Sequence, residues 1–263
     1  MIVKPEPKIL YKYRSLSGDN FKFTHDIFIK NELYFPHPDQ INDPFDCKII
    51  PCLEGLTKEK LLEHLENIDP ERVKDKGFDL EKSKKGVKNT SLPVLQERLR
   101  EGLKSQREVG VLSFSEKYSD ILMWGHYADS HKGICIGFDY HGLSFTFKSP
   151  VPPEQVKYPN DNEYPQWNPF VDDVISQIDK IYFTKARPWH YEKEWRVILP
   201  EHGRSLQKIN PNALVSVYLG CQIAKGNKEK VINWCLQREQ KPKVYEMIKD
   251  NTSYALKENE ILY

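Results

Sequence analysis

Eight short runs rich in β-branched and aromatic residues, set irregularly among helical stretches, constrain this fold more than any other feature. They are ILYKYRS (9–15), ELYF (32–35), FDCKII (45–50), VGVLSFS (109–115), GICIGFD (133–139), EWRVIL (194–199), LVSVYLG (214–220) and PKVYEMI (242–248). Branched and ring side chains pack well on a pleated surface, so these runs read as strands. Helical patterns fall at about 20–30, at 168–182 and at about 226–237. In the second of these, Val171, Val174, Ile175, Ile178 and Ile181 form an apolar stripe. Strands and helices do not alternate one for one. The expected class is therefore α+β, with a single mixed, mostly antiparallel sheet.

Aromatic residues make up 12% of the chain, yet Phe78 is the only one between Leu53 and Gln106. That stretch is dense in Lys and Glu of both signs, which reads as a solvated helical layer rather than a basic binding surface. LTKEKLLEHLENI (56–68) keeps a helical period. Ser91 can cap another helix, with Pro93 in its first turn and Leu92, Leu95, Leu99 and Leu103 on one side. Between them, DKGFDLEKSKKGVKNTS (75–91) has no clear period and reads as a loop. The chain is accordingly expected to be one domain, 1–263, with a charged helical insert at about 53–106.

Lys+Arg 39 against Asp+Glu 38 nearly cancels, which excludes nucleic-acid binding driven by bulk positive charge. No apolar run approaches the roughly 18 residues of a membrane-spanning helix. The first residues lack the apolar core of a secretory signal. Of five cysteines only Cys47 and Cys52 lie close in sequence, which suits reduced thiols better than a disulfide framework. A cytoplasmic protein with no membrane partner is the expectation.

Four boxes carry groups capable of chemistry. In Leu10-Tyr11-Lys12-Tyr13-Arg14-Ser15 a strand would set Tyr11, Tyr13 and Ser15 on one face and Lys12 and Arg14 on the other. The charges either face water or offer a phosphate or carboxylate the planar fork of Arg14. Asn42-Asp43-Pro44-Phe45-Asp46 reads as a structural turn anchored by Phe45, with Asn42 or Asp46 as alternative ligand contacts. Ser113-Phe114-Ser115 would present both hydroxyls to one side, ahead of Met123-Trp124-Gly125-His126-Tyr127-Ala128-Asp129-Ser130-His131-Lys132-Gly133. His126 and His131 are five apart, which is not the spacing of a zinc pair on one helix, and no metal site is expected. In the fourth box, Lys185 to Val197, a strand starting near Tyr191 would place Glu192, Glu194 and Arg196 on one face. Two carboxylates about 6.5 Å apart beside Trp189, Tyr191 and Trp195 would repel, and one pKa would rise. The alternative is an exposed ion-pair row.

Together the four boxes resemble the bacterial and archaeal domain-of-unknown-function family 2971, in order, over about residues 9 to 199. The order Arg14, Ser113-Phe114-Ser115, Glu192-Lys193-Glu194 also resembles the arginine, S-T-S and E-x-E signature of ADP-ribosyltransferases. Here Phe114 replaces the middle hydroxyl, and a long gap precedes Glu192. That second resemblance implies an ADP-ribosyltransferase-like fold and NAD as co-substrate. Arg14 would contact the dinucleotide, Ser113 would brace the site, Glu194 would be the catalytic acid and Glu192 would position the acceptor. Tyr13, Ser115, His126, Tyr127, Lys132 and Trp189 complete the candidate binding set. The implied activity is cleavage of the nicotinamide–ribose bond by a toxin or phage-defence effector acting on an unidentified macromolecule. The alternatives are a non-catalytic groove for a ligand or protein, and a metal-dependent nucleic-acid-processing enzyme using Asp43, Asp46, Glu192, Glu194 and Lys185.

Overall fold

The structure, a computed structural model, describes residues 6–69, 79–104, 108–144, 146, 152–161, 163–168 and 174–262. They gather into two compact units, Met1–Cys47 with Glu108–Asn162 and Tyr182–Tyr263, and Lys48–Arg107 with Glu163–Ile181. The fold is α+β, built around one large, mostly antiparallel sheet.

The strands in chain order are β1 (Ile9–Arg14), β2 (Glu32–Phe35), β3 (Ile50–Pro51), β4 (Gly110–Ser115), β5 (Ile134–Asp139) and β6 (Glu154–Gln155). They continue with β7 (Gln166–Trp167), β8 (Glu194–Leu199), β9 (Ser205–Lys208), β10 (Leu214–Leu219), β11 (Lys243–Lys249) and β12 (Leu256–Ile261). In the first unit eight of these form a sheet in the order β12-β11-β10-β5-β1-β4-β8-β6. Only β10 and β11 run parallel within it. Alternation splits the apolar residues between the two faces. Leu10, Phe114, Ile134, Ile136, Phe138, Trp195 and Val197 join one buried cluster. Tyr11, Tyr13, Cys135 and Tyr218 join another, under Met123 and Trp124. The helix α1 (Asn20–Ile29) buries Thr24, Ile27 and Phe28, and Trp234 of a later helix (Lys225–Leu236) packs edge-on against Phe21.

One irregularity positions the site. β1 pairs with β5 along its whole length, and β4 does so with β8. Between β1 and β4 the register consists of one pair, Tyr11 with Ser115. Past it, the Lys12 ammonium spans the gap and donates to the Ser113 carbonyl at 2.9 Å. The interior of the sheet is thus unzipped on one side of Tyr11.

The second unit contains α2 (Lys58–Glu66), α3 (Leu80–Asn89) and α4 (Leu92–Lys104), with β3 paired in parallel to β7. α3 replaces the loop expected at 75–91. Asp79 caps it by accepting from the Lys82 amide at 2.8 Å, and Val87 is buried on its inner side. Leu80 and Val87 alone among lysines are too thin a stripe to register as a period. Most of FDCKII is likewise a turn and not a strand, with Cys47 at φ 54° and only Ile50–Pro51 extended. Of the stripe at 168–182, Val171 and the side chains of Val174 and Ile175 lie outside the described residues, as do Phe78 and the Leu103 side chain.

Candidate functional site

The unzipped edge between β1 and β4 opens into a cleft of about 640 Å³, wholly within the first unit. Lys12 and Arg14 line it from β1, Ser113, Phe114 and Ser115 from β4, and Glu194 from the start of β8. Asn42 and Asp46 enter from the turn after β2, and His126 and Tyr127 from the helix α5 (Ile121–Tyr127). Lys185 and Glu192 close one end.

That end is a buried ion cluster. Arg196 is fully buried and donates to Glu194 through Nε at 2.7 Å and Nη2 at 3.0 Å. It also donates to Asp46 through Nη1 at 3.0 Å and Nη2 at 2.5 Å, and to the Tyr182 carbonyl at 2.8 Å. The Lys185 ammonium donates to Glu192 Oε2 at 2.6 Å and Glu194 Oε2 at 3.1 Å, and stands 3.6 Å from Asp46. The Trp189 ring lies beneath that ammonium. Glu192 Oε1 accepts from the Tyr127 hydroxyl at 2.6 Å, and that hydroxyl accepts in turn from Asn42. Both glutamates are 3% exposed.

Two cations face three carboxyls here, so full ionisation would bury a net negative charge, which is costly. The two glutamates divide accordingly. Burial pushes Glu194 up, but Arg196 and Lys185 outweigh it and hold its carboxyl well below the ordinary range. Glu192 has Lys185 as its one cation, and burial together with Glu194 raises it to about 7. Glu192 is the member of the cluster that can exchange a proton near neutrality. Across the cleft, burial and the neighbouring Arg14 lower Lys12 to about 7, and burial lowers Arg14 to about 10.

Local sequence explains how the fourth box reaches this arrangement. Pro188 starts a 3₁₀ turn over Arg187–Glu192, and Lys193 is left-handed at φ 45°. β8 therefore begins at Glu194, not near Tyr191, and Glu192 shares no strand face with Glu194 and Arg196. The buried Ser115 hydroxyl ties the turn down by donating to the Glu192 carbonyl at 2.6 Å. Nor is the charge row exposed. Glu192, Glu194 and Arg196 are all buried, and the Trp189 ring lies against Lys185.

Of the sequence candidates, Tyr13, Arg14, Ser113, Ser115, His126, Tyr127, Glu192 and Glu194 line the one cleft. Trp189 touches it through Lys185, while Lys132 is exposed and not among the lining residues. Tyr13 is occupied structurally, its hydroxyl donating to the Lys117 carbonyl at 2.8 Å. Phe45 does not anchor its turn and is 65% exposed. The turn is instead held by Asp43, which accepts from the Phe45 amide, and by Asp46 on Arg196. Sequence reasoning placed Asp46 in a turn and missed its partner, 150 residues away. Lys12 was also left out of the site, and its charge on a half-buried strand was the available signal.

With this geometry in place, comparison with known proteins adds one finding. The model of the family described as Protein of unknown function (DUF2971) matches residues 123–197. The matched stretch runs from Met123 in α5 to Val197 in β8 and holds Tyr127, Lys185 and both glutamates. The resemblance to that family is thereby shown from Met123 of the third box through the fourth box. Neither the curated proteins nor the solved structures returned a match to the chain. Among the described residues no helix is long and apolar enough to cross a membrane, and no group of three or more His, Cys, Asp or Glu is arranged to hold a metal ion.

Proposed function

We propose that the cleft binds NAD and cleaves its nicotinamide–ribose bond, passing the ADP-ribosyl group to water or to an acceptor. The observation that carries this reading is the meeting of Arg14, Ser113, Glu192 and Glu194 in one cleft, although the three segments that carry them are far apart in sequence. Scattered positions would have removed its basis.

The chemistry asks for few groups. The bond between C1′ and the pyridinium nitrogen breaks with its electron pair leaving on neutral nicotinamide. The ribosyl carbon passes through an oxocarbenium-like state, as in glycoside hydrolysis. An acceptor oxygen then bonds to C1′ and its proton must be taken up. In this reading Glu192 is the working carboxyl, since in its ionised form it both faces the developing cation and accepts that proton. Glu194, neutralised by Arg196 and Lys185, positions Lys185 and through it Glu192. The two roles are then exchanged relative to those the transferase resemblance implies. A non-catalytic groove is opposed by the burial of both glutamates at the cleft and by a carboxyl poised near neutrality.

The test is nicotinamide release from NAD by the purified protein, with and without cell lysate as acceptor source. Glu192→Gln keeps shape and removes the charge, and is expected to abolish release while leaving the unfolding temperature within a few degrees. No release by well-folded wild type in either condition, or full activity in Glu192→Gln, refutes the reading.

A further inference from the structure

Lys12 and Arg14 are two largely buried cations on one face of β1, and neither forms an ion pair with a carboxylate among the described residues. Lys12 has only the Ser113 carbonyl and the face of the Phe114 ring, 5.5 Å from its ammonium. Arg14 donates through Nε to the Thr24 hydroxyl at 3.2 Å, which leaves the outer edge of its guanidinium to the cleft. Desolvated charges without counter-ions are destabilising, and proteins retain them where a ligand supplies the opposite charge. Every other buried cation of the site is matched: Arg196 by Asp46 and Glu194, Lys185 by Glu192 and Glu194.

We propose that Lys12 and Arg14 form a subsite for a dianionic group, the pyrophosphate of a dinucleotide or a free phosphate or sulfate, whose charge replaces the carboxylate the protein omits. The subsite rests on the NAD reading only for the identity of the anion as a nucleotide's. A planar guanidinium beside an ammonium can hold two oxygens of one such group while the ammonium holds a third.

A proton should accompany the anion. Around Lys12 the charged groups are Arg14 on its own strand and Glu194 on β8, the first disfavouring and the second favouring its protonated form. β5 sets the apolar Ile136 opposite it, and Thr24 of α1 is uncharged. On α1 Asp26 is engaged by His25 and Lys30, while Asp46, His126, Asp129, Lys185 and Glu192, with the phenols of Tyr11, Tyr13 and Tyr127, complete the ionisable lining of the cleft. The unliganded ammonium loses its proton near pH 7, and an anion beside it draws the proton back.

Inorganic sulfate is the probe, because its charge is constant across the pH range. Calorimetry at pH 8 in two buffers of different ionisation heat counts the protons taken up, and about 0.9 per sulfate is expected for a group titrating near 7. Affinity for sulfate should fall about 50-fold from pH 7 to pH 9, the loss that one such proton imposes. Lys12→Arg should keep binding but lose both the uptake and the pH dependence, and Lys12→Met should weaken sulfate at least tenfold. Binding without proton uptake, or Lys12→Met equal to wild type, overturns the subsite. NADH, fluorescent and with two fixed pyrophosphate charges, separates it from the function proposed above. Sulfate binding with uptake but no NADH binding keeps the subsite and refutes the dinucleotide.

Discussion

Replacing Arg196 by methionine is the most demanding test of the site's architecture. The substitution roughly preserves side-chain volume and deletes six donated hydrogen bonds, two to Glu194, two to Asp46, one to the Tyr182 carbonyl and a weak one to the Cys47 sulfur. Asp46 and Glu194 would then have Lys185 as their one cation, in a buried site. Removing one partner from a buried ion pair leaves an uncompensated charge and costs about 3–5 kcal/mol. At roughly 2–4 °C per kcal/mol for a domain of this size, the melting temperature should drop by about 6–20 °C. The exposed Arg204, which pairs with Asp39 and Glu108, supplies the control, and Arg204→Met should cost under about 1 kcal/mol. Urea unfolding of the three proteins measures both numbers. Adding Asp46→Asn to Arg196→Met should recover about 1–3 kcal/mol, since the second change removes a charge the first left stranded. The pH dependence has a definite sign. Glu194 is held below its ordinary value, so its contribution is present above about pH 4.5 and lost as the solution is acidified further. That acid sensitivity should be blunted in Arg196→Met. A loss below about 1 kcal/mol, or no recovery in the double variant, would show that the cluster is screened and that the argument from burial fails.

Two further consequences concern the groups that titrate near neutrality. Tyr127→Phe deletes a hydrogen bond that favours ionised Glu192, so the Glu192 midpoint should move above 7 by up to about one pH unit. The rising limb of the pH–rate profile for nicotinamide release reports that shift, and an unmoved midpoint removes Tyr127 from the proton account. Lys12→Met should stabilise the unliganded protein by about 1–3 kcal/mol at pH 6, where burying the charged amine is costly. Because the folded pKa lies below the unfolded one, the cost is full below pH 7 and fades as pH rises toward 10.5. Urea unfolding at pH 6 and pH 10 should show a gain at the lower pH only, and a loss at pH 6 would mean that Lys12 has a counter-charge.

The sheet was legible because its signal is local. LVSVYLG and GICIGFD are dense in residues that pack only on a pleated surface, and each became a strand within a residue of the expected limits. Strands such as β12, with Lys257, Glu258 and Glu260 on an exposed edge, carry no such mark, since charge there guards the edge rather than filling a core. The gathering of Arg14, Ser113 and the glutamates could be read from the order of the boxes. Their division of labour could not. Which glutamate keeps a proton depends on Asp46 and Lys185, and nothing in the neighbourhood of NDPFD indicates that its last aspartate meets Arg196. Turn chemistry at Pro188 and Lys193 also overrode the strand period that seemed to align Glu192 with Glu194.

The break between β1 and β4 links fold to chemistry. A complete ladder there would satisfy the strand edges and leave no room for a ligand inside the sheet. The single pair at Tyr11 and Ser115 instead holds the two strands at one point. On one side of that point Lys12 replaces a ladder bond with its own contact to the Ser113 carbonyl. At the same point Ser115, the other half of the pair, fixes the turn that carries Glu192. One register position therefore sets the place of both proposed functional elements, the cation pair and the titrating carboxyl. A change at Ser115 that loosened the turn would displace Glu192 without touching Lys12. This makes Ser115→Ala a way to separate the two: it should impair bond cleavage while leaving sulfate binding and its proton uptake as in wild type. Equal damage to both would mean that the two elements are not independent, and the subsite would have to be reinterpreted as part of the ion cluster.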